Sequence, residues 1–295
     1  MKAIQNCTTL QRGYKLPKKM SKSTQTIVIE AGRASKEYWS DMWRQRELLF
    51  FLIWRDLLVR YKQTMVGVAW VLLKPAITLA IFSVVFGKWA ALPSGGLPYP
   101  LVVFAGMLPW FFFSTAVSDC SNSIINNSSI VGKIYFPRLL IPVNSLLVAL
   151  VDYAVSCSLI VVLVIWTGFY PDWRIAMLPL LTIWVAALSF GFGVWGAALN
   201  VRHRDLRFII PFLLQLGIYI SPVGYSAAIV PERFKLLYSL NPMVGIIDSF
   251  RWAILGGSFD VYLPGVMISA GVTIILVVTG VIYFRRVEKM FADYL

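Results

Sequence analysis

The sequence predicts an all-α membrane protein with six transmembrane helices, an N-terminal amphipathic helix in the membrane interface, and two short re-entrant helices between the fifth and sixth crossings. Three observations carry this. Of the 295 residues, 58% are hydrophobic and 14% are charged, whereas soluble domains average about 25% charged. Six apolar runs, at residues 67–87, 101–119, 139–167, 176–199, 208–229 and 262–284, suit the roughly 20 helical residues needed to cross about 30 Å of hydrocarbon. The cations alternate with them: 22 of the 27 Lys and Arg residues fall on one side of the resulting topology. The cation-rich side is cytoplasmic, so both termini are expected there. The basic N-terminus contributes most of that bias, yet the remaining loops still divide 8 to 5 in the same sense. The net charge of +13 therefore reports orientation, and no nucleic-acid partner is expected.

Residues 1–42 are read as a cytoplasmic basic extension. Residues 1–20 lack the apolar core of about 7 to 15 residues that a signal peptide needs, so no cleavage is expected, and Met20 offers an alternative start. Residues 43–65 are assigned to the amphipathic helix. Asp56, Arg60 and Gln63 recur at i, i+4 and i+7, flanked by Arg55 and Lys62, while Leu49, Phe50, Ile53, Trp54, Leu57, Leu58 and Tyr61 cover the remainder. A helix with cations on one side and Trp and Phe on the other lies in the membrane interface. Read instead as a short crossing, it would bury Arg55, Asp56, Arg60 and Lys62, at about 2.5 to 3.5 kcal/mol each for central Arg, Lys or Asp.

The transmembrane domain is assigned to residues 66–285. Its first crossing carries Lys74-Pro75, a predicted kink where the lysine snorkels to the headgroups. Residues 92–100, LPSGGLPYP, form a periplasmic connector. The Asn/Ser-rich residues 121–142, with Lys133 and Arg138, form a cytoplasmic loop between the second and third crossings. In a chain without catalytic machinery, such a loop reads as a handle gripped by another protein. Between residues 225 and 257 two apolar runs are split by Asn241-Pro242 and carry Asp248 and Arg251. Their lengths suit re-entrant segments, which lie beside a conduit or form a packed cap over the bundle. Residues 286–295 are a cytoplasmic tail.

No enzyme site emerges. His203 is the single histidine, so neither a histidine-based zinc site nor a Ser-His-Asp relay is expected within this chain. Gly87-Lys88 and Gly132-Lys133 lack the earlier glycine and the following Ser or Thr of a phosphate-binding loop, so any ATP must be bound by another chain. Cys7, Cys120 and Cys157 show no CxxC spacing, and no metal site is expected. Asp119 and Asp152 sit in or near crossings, where an ionisable residue marks either function or a locally satisfied pair. The abundant aromatics anchor the two interfaces or line a path for sugars, and periodicity does not separate these readings.

Several segments then resemble one family in order: WRDLLVRYKQT with GVAW and KP (54–75), AGMLPWFFFS (105–114), KIYFPRLLIP (133–142), ALNVRHRDLRFIIPFLLQ (198–215), SPVGY (221–225) and LNPMVGIIDSFRWAILG (240–256). They are similar to the permease subunits of ABC-2 polysaccharide exporters of the O-antigen, capsule and teichoic-acid branch, above all O-antigen exporters. The similarity covers residues 43–288. Lys74 departs from the neutral polar residues common at its position. The resemblance implies a homodimer in the bacterial inner membrane, two copies of a cytoplasmic ABC ATPase that bind ATP and Mg, no cofactor in this chain, and a lipid-linked polysaccharide substrate. It implies coupling contacts at Asn127, Ser128, Lys133, Tyr135, Phe136, Pro137 and Arg138, with Arg202, Arg204 and Asp205 in a second loop. The interfacial helix residues are Trp54, Arg55, Asp56, Arg60, Tyr61 and Lys62. A conduit between the two copies, bordered by the first and fifth crossings, is expected to offer Trp110, Phe111, Tyr219, Tyr225 and Trp252 to the glycan. Other cargoes on the same fold remain open. A membrane-embedded glycosyltransferase needs clustered acids, whereas the outer loops offer only scattered Asp172, Glu232, Asp248 and Asp260. A proton-driven flippase predicts an internal repeat, and none is found.

Overall fold

The computed structural model describes residues 35–62, 67, 69–89, 96–132, 136–256 and 261–291. All regular structure among them is helical. Helix α1 (Ser35–Arg44) and helix α2 (Arg46–Lys62) are separated only by Gln45, whose amide bonds the Asp41 carbonyl at 3.0 Å while the Leu49 amide bonds the Gln45 carbonyl at 3.2 Å. The two therefore form an almost continuous helical arm. Helix α3 (Ala69–Phe82) continues as a π-helical stretch, Ser83–Trp89. It passes through Pro75 without a break in the helical run, although Pro cannot donate to the ladder.

Helix α4 (Tyr99–Asn126) is the spine of the bundle. Its apolar window is 78% buried, against 11% for the span Ala69–Trp89, because α3, α6, α7 and α10 all pack on it. The four-residue α5 (Ser128–Val131) follows at its cytoplasmic end. Helix α6 (Leu140–Thr167) stops at Gly168, whose φ of +66° is the left-handed conformation that glycine adopts without a Cβ penalty. A 3₁₀ turn, Trp173–Met177, capped by the Asp172 carboxylate on the Trp173 amide, leads into α7 (Leu178–Arg202). Helices α8 (Leu206–Ile220), α9 (Glu232–Tyr238), α10 (Pro242–Leu255) and α11 (Leu263–Val287) complete the chain, with a last 3₁₀ turn at Glu288–Met290. Two apolar clusters result. The larger joins α4, α6, α7 and α10, and a smaller one at the far end of α4 gathers Ile124, Phe136, Leu139, Leu140, Val201, Phe284 and Phe291.

Among the described residues, five helical spans are long and apolar enough to cross a membrane. The fifth predicted crossing, 208–229, is instead the 15-residue α8, about 22 Å long at 1.5 Å per residue. It ends because Ser221 precedes Pro222: Ser221 is extended at φ −85°, ψ 150°, the backbone that a following proline imposes. Where two short helices are expected between residues 225 and 257 lie α9 and α10, and α10 packs against α4, α7 and α11 with twelve of its residues buried, as a cap over the bundle does. Within the extension, residues 35–42 are helical, with Tyr38 and Met42 one turn apart against the smaller cluster.

Candidate functional site

The polar stripe of α2 turns toward the bundle. Arg55 Nη2 donates to Asn127 Oδ1 at 2.9 Å, and Asn144 Nδ2 donates to Asp56 Oδ2 at 2.6 Å. Arg60 forks between two helices, reaching Asp119 Oδ2 at 2.6 Å on α4 and Asp152 on α6. Tyr61 donates its hydroxyl to the same Asp152. Burial works against the Arg60 guanidinium, but the two carboxylates together raise it above its ordinary range, so it stays charged. Phe50, Phe51 and Trp54 face outward, as does Lys62. The stripe predicted for water is thus spent on ion pairs within the protein, and the aromatic side is the free one.

This cluster closes one end of a cleft of about 610 Å³ between α2, α3, α4 and α6. Arg60, Lys74, Asp119 and Asp152 provide its polar wall, and Trp70, Phe104, Phe111 and Tyr153 are among its apolar lining. Of the candidate glycan residues only Phe111 lies here. Trp110 is a core contact: its ring sits against Gly217 of α8 so closely that a Cβ there would lie 2.6 Å from it. Tyr219 is exposed on α8. Tyr225 hydrogen-bonds Tyr238 at 2.9 Å in the turn after α8. Trp252 lies under the Arg174 guanidinium, 5.1 Å from the ring centroid. The five do not share one lining.

The loop after α4 and the loop between α7 and α8 come together. Arg207 Nη2 donates to Asn126 Oδ1 at 3.4 Å, and buried Asn200 donates to the Ser121 carbonyl at 2.8 Å. Arg202, Arg204 and Asp205 are exposed beside this junction. Asn127 joins α4 to α5, and Ser128 begins α5. Phe136 and Pro137 are buried. Arg138 donates to the Glu288 carbonyl and lies 5.7 Å from the Phe291 ring centroid. Lys133 and Tyr135 lie outside the described residues.

Sequence reasoning missed three residues that shape these surfaces. Arg251, 1% exposed, donates to the carbonyls of Val223 at 2.9 Å and Tyr225 at 2.8 Å and thereby fixes the SPVGY turn. Tyr38 and Glu288 bond one another at 3.1 Å across one end of the bundle. The large apolar pairs Tyr38-Trp39 and Met42-Trp43, four residues apart, were the available signal for α1.

Comparison with known proteins gives concordant matches. A family profile described as ABC-2 type transporter matches residues 47–255. The chain is 28% identical over 214 residues to the O-antigen export system permease protein RfbA of Myxococcus xanthus, covering 72% of this chain and 81% of that protein. It is 28% identical over 255 residues to a protein of the same name from Klebsiella pneumoniae, covering 84% and 95%. The polysialic acid transport protein KpsM of Escherichia coli is 22% identical over 243 residues, covering 81% and 92%.

Proposed function

The chain belongs to the ABC-2 type transporter family, and from that premise we propose that it is the transmembrane permease subunit of an ATP-driven exporter. Its cargo on this reading is a lipid-linked polysaccharide of the O-antigen class, moved from cytoplasm to periplasm across the bacterial inner membrane. The chain itself performs no catalysis; a separate cytoplasmic ATPase binds ATP and Mg, two copies of it docking on a permease homodimer.

The observation that carries the reading is the state of α3 and α8. Both are apolar, yet α8 has no buried residue and α3 buries only Pro75 and Leu79. Two apolar helices left open by their own bundle suit the border of a conduit completed by a second copy. On the cytoplasmic side, Arg202, Arg204 and Asp205 stand free beside Asn127 and α5, which suits a partner that must grip and move both loops. Closure of the ATPase dimer on ATP favours one arrangement of these loops over another. The difference in binding free energy between the two arrangements is what tilts the attached helices. The lipid anchor stays in the bilayer while the glycan passes between copies.

Deletion of the gene in its host tests this. Loss of surface polysaccharide with accumulation of lipid-linked polymer in the cytoplasm is expected. Complementation with Arg202→Glu/Arg204→Glu should insert normally but retain no ATPase. If polymer synthesis itself stops and no intermediate accumulates, the exporter reading fails and a membrane-embedded synthase replaces it. A capsular polysaccharide is the second reading, favoured by the similarity to the polysialic acid transport protein; the identity of the accumulated polymer decides between them.

A further inference from the structure

The helical arm α1–α2 holds both ends of the loop between α4 and α6. At the start of the loop, Arg55 of α2 donates to Asn127. At its end, the Leu139 amide donates to the Tyr38 hydroxyl of α1 at 3.3 Å. Leu139 is the cap of α6, so its amide belongs to the donors that a helix start leaves without a partner in its own turn. The same hydroxyl donates to Glu288 Oε2 at 3.1 Å, so one phenol both accepts from the loop end and donates to the end of α11. The Tyr38 ring lies 3.5 Å from the Arg285 guanidinium, which also pairs with Glu288 Oε1 at 3.7 Å. Arg138, one residue before Leu139, donates to the Glu288 carbonyl.

We propose that α1 is a strap, and Tyr38 its positioning residue, through which movement of the 127–138 loop is passed to the membrane-lying arm and to the cytoplasmic end of α11. This rests on reading that loop as the surface gripped by the ATPase. The geometry gives the reason. A loop displaced relative to α4 and α6 strains Arg55–Asn127 at one end and Leu139–Tyr38–Glu288 at the other. Because α1 and α2 are joined through Gln45 by helical hydrogen bonds, the arm moves as a unit. Arg60 and Tyr61 of that arm form one wall of the cleft, so a shift of the loop reaches the cleft through the arm.

The test uses the full permease–ATPase complex in liposomes loaded with lipid-linked polymer, comparing wild type, Tyr38→Phe, Glu288→Ala and the double variant. Phenylalanine keeps the ring and its packing under Arg285 and deletes both hydrogen bonds. Three quantities are read: ATPase retained by the permease, ATP hydrolysed, and polymer moved per ATP. Retention and hydrolysis should stay near wild type, while polymer moved per ATP falls about fivefold or more, the low end of coupling between linked sites. The double variant should be no worse than either single one, since both remove the same junction. Unchanged transport per ATP in Tyr38→Phe overturns the strap, as does a parallel loss of retention, hydrolysis and transport, which marks a purely structural residue. Should Tyr38→Phe fail to insert, Glu288→Ala decides by the same ratio. A wild-type chain that retains no ATPase removes the functional reading itself, and the strap with it.

Discussion

Arg60 shows what one residue can and cannot disclose in sequence. Its place in a polar stripe with Asp56 was legible from spacing alone, but the direction of the stripe was not. Its partners, Asp119 and Asp152, lie 59 and 92 positions away, on helices whose packing no local pattern specifies. Removing the guanidinium leaves two carboxylates facing each other. A fully buried pair broken in this way costs about 3 to 5 kcal/mol; with Arg60 and Asp119 each about a third exposed, solvent reduces that to about 1 to 2 kcal/mol. Arg60→Ala should therefore lower the thermal midpoint in detergent, and Arg60→Met combined with Asp119→Asn and Asp152→Asn should recover most of it. If Arg60→Ala melts like wild type, the ion pair is not holding α2. Arg251 makes a stronger case, because it is buried and its guanidinium serves the Val223 and Tyr225 carbonyls. Arg251→Leu strands both acceptors, at about 1 to 3 kcal/mol each. Loss of folded protein is expected, where a surface arginine such as Arg204 tolerates the same change.

At the scale of elements, hydropathy placed most of the long helices within a few residues, because a run of apolar side chains is a property of the sequence itself. It stopped seven residues short of the end of α4, whose last turns are polar, and overran at α8, where the apolar character continues past Ile220 but the backbone turns at Ser221-Pro222. It left two readings of α10 open, since a short apolar helix within a protein core and one within a bilayer look alike in composition. Close approach between helices was invisible for a different reason: it depends on which glycines meet. Gly191 of α7 and Gly280 of α11 face each other, and a Cβ on Gly280 would lie 2.8 Å from the Gly191 carbonyl oxygen. Gly271, on the same helix α11, has nothing within 4 Å. Alanine is the better helix former by about 0.8 to 1 kcal/mol, so Gly271→Ala should leave the thermal midpoint unchanged or raise it. Gly280→Ala must separate two backbones and should destabilise by about 1 to 3 kcal/mol, as overpacking does. Equal behaviour of the two variants rules out tight α7–α11 packing as a source of stability.

For the whole molecule the question is what covers α3 and α8. Ile77 and Ile81 of α3 and Phe212, Leu213 and Leu216 of α8 are exposed, and so are Val162 of α6 and Ile275 of α11. Lipid can cover all of them, so exposure alone does not identify an interface. The proposed conduit does discriminate. In a two-fold arrangement the same surface is used by both copies, with residue i meeting j and j meeting i, so α3 of one copy faces α8 of the other along each side of the passage. Lipid then covers α6 and α11. A chain with Cys7, Cys120 and Cys157 replaced, carrying Ile77→Cys and Leu213→Cys, should form covalent dimers in native membranes with a short bifunctional thiol reagent. A control with Val162→Cys and Ile275→Cys should remain monomeric under the same treatment. Dimers in the control alone would move the interface to the opposite face of the bundle and leave α3 and α8 to lipid, which removes the conduit from between the copies. Dimers in the first pair alone place two sparsely buried apolar helices of the protomer at the centre of the assembly, next to the cleft whose polar wall is held by Arg60.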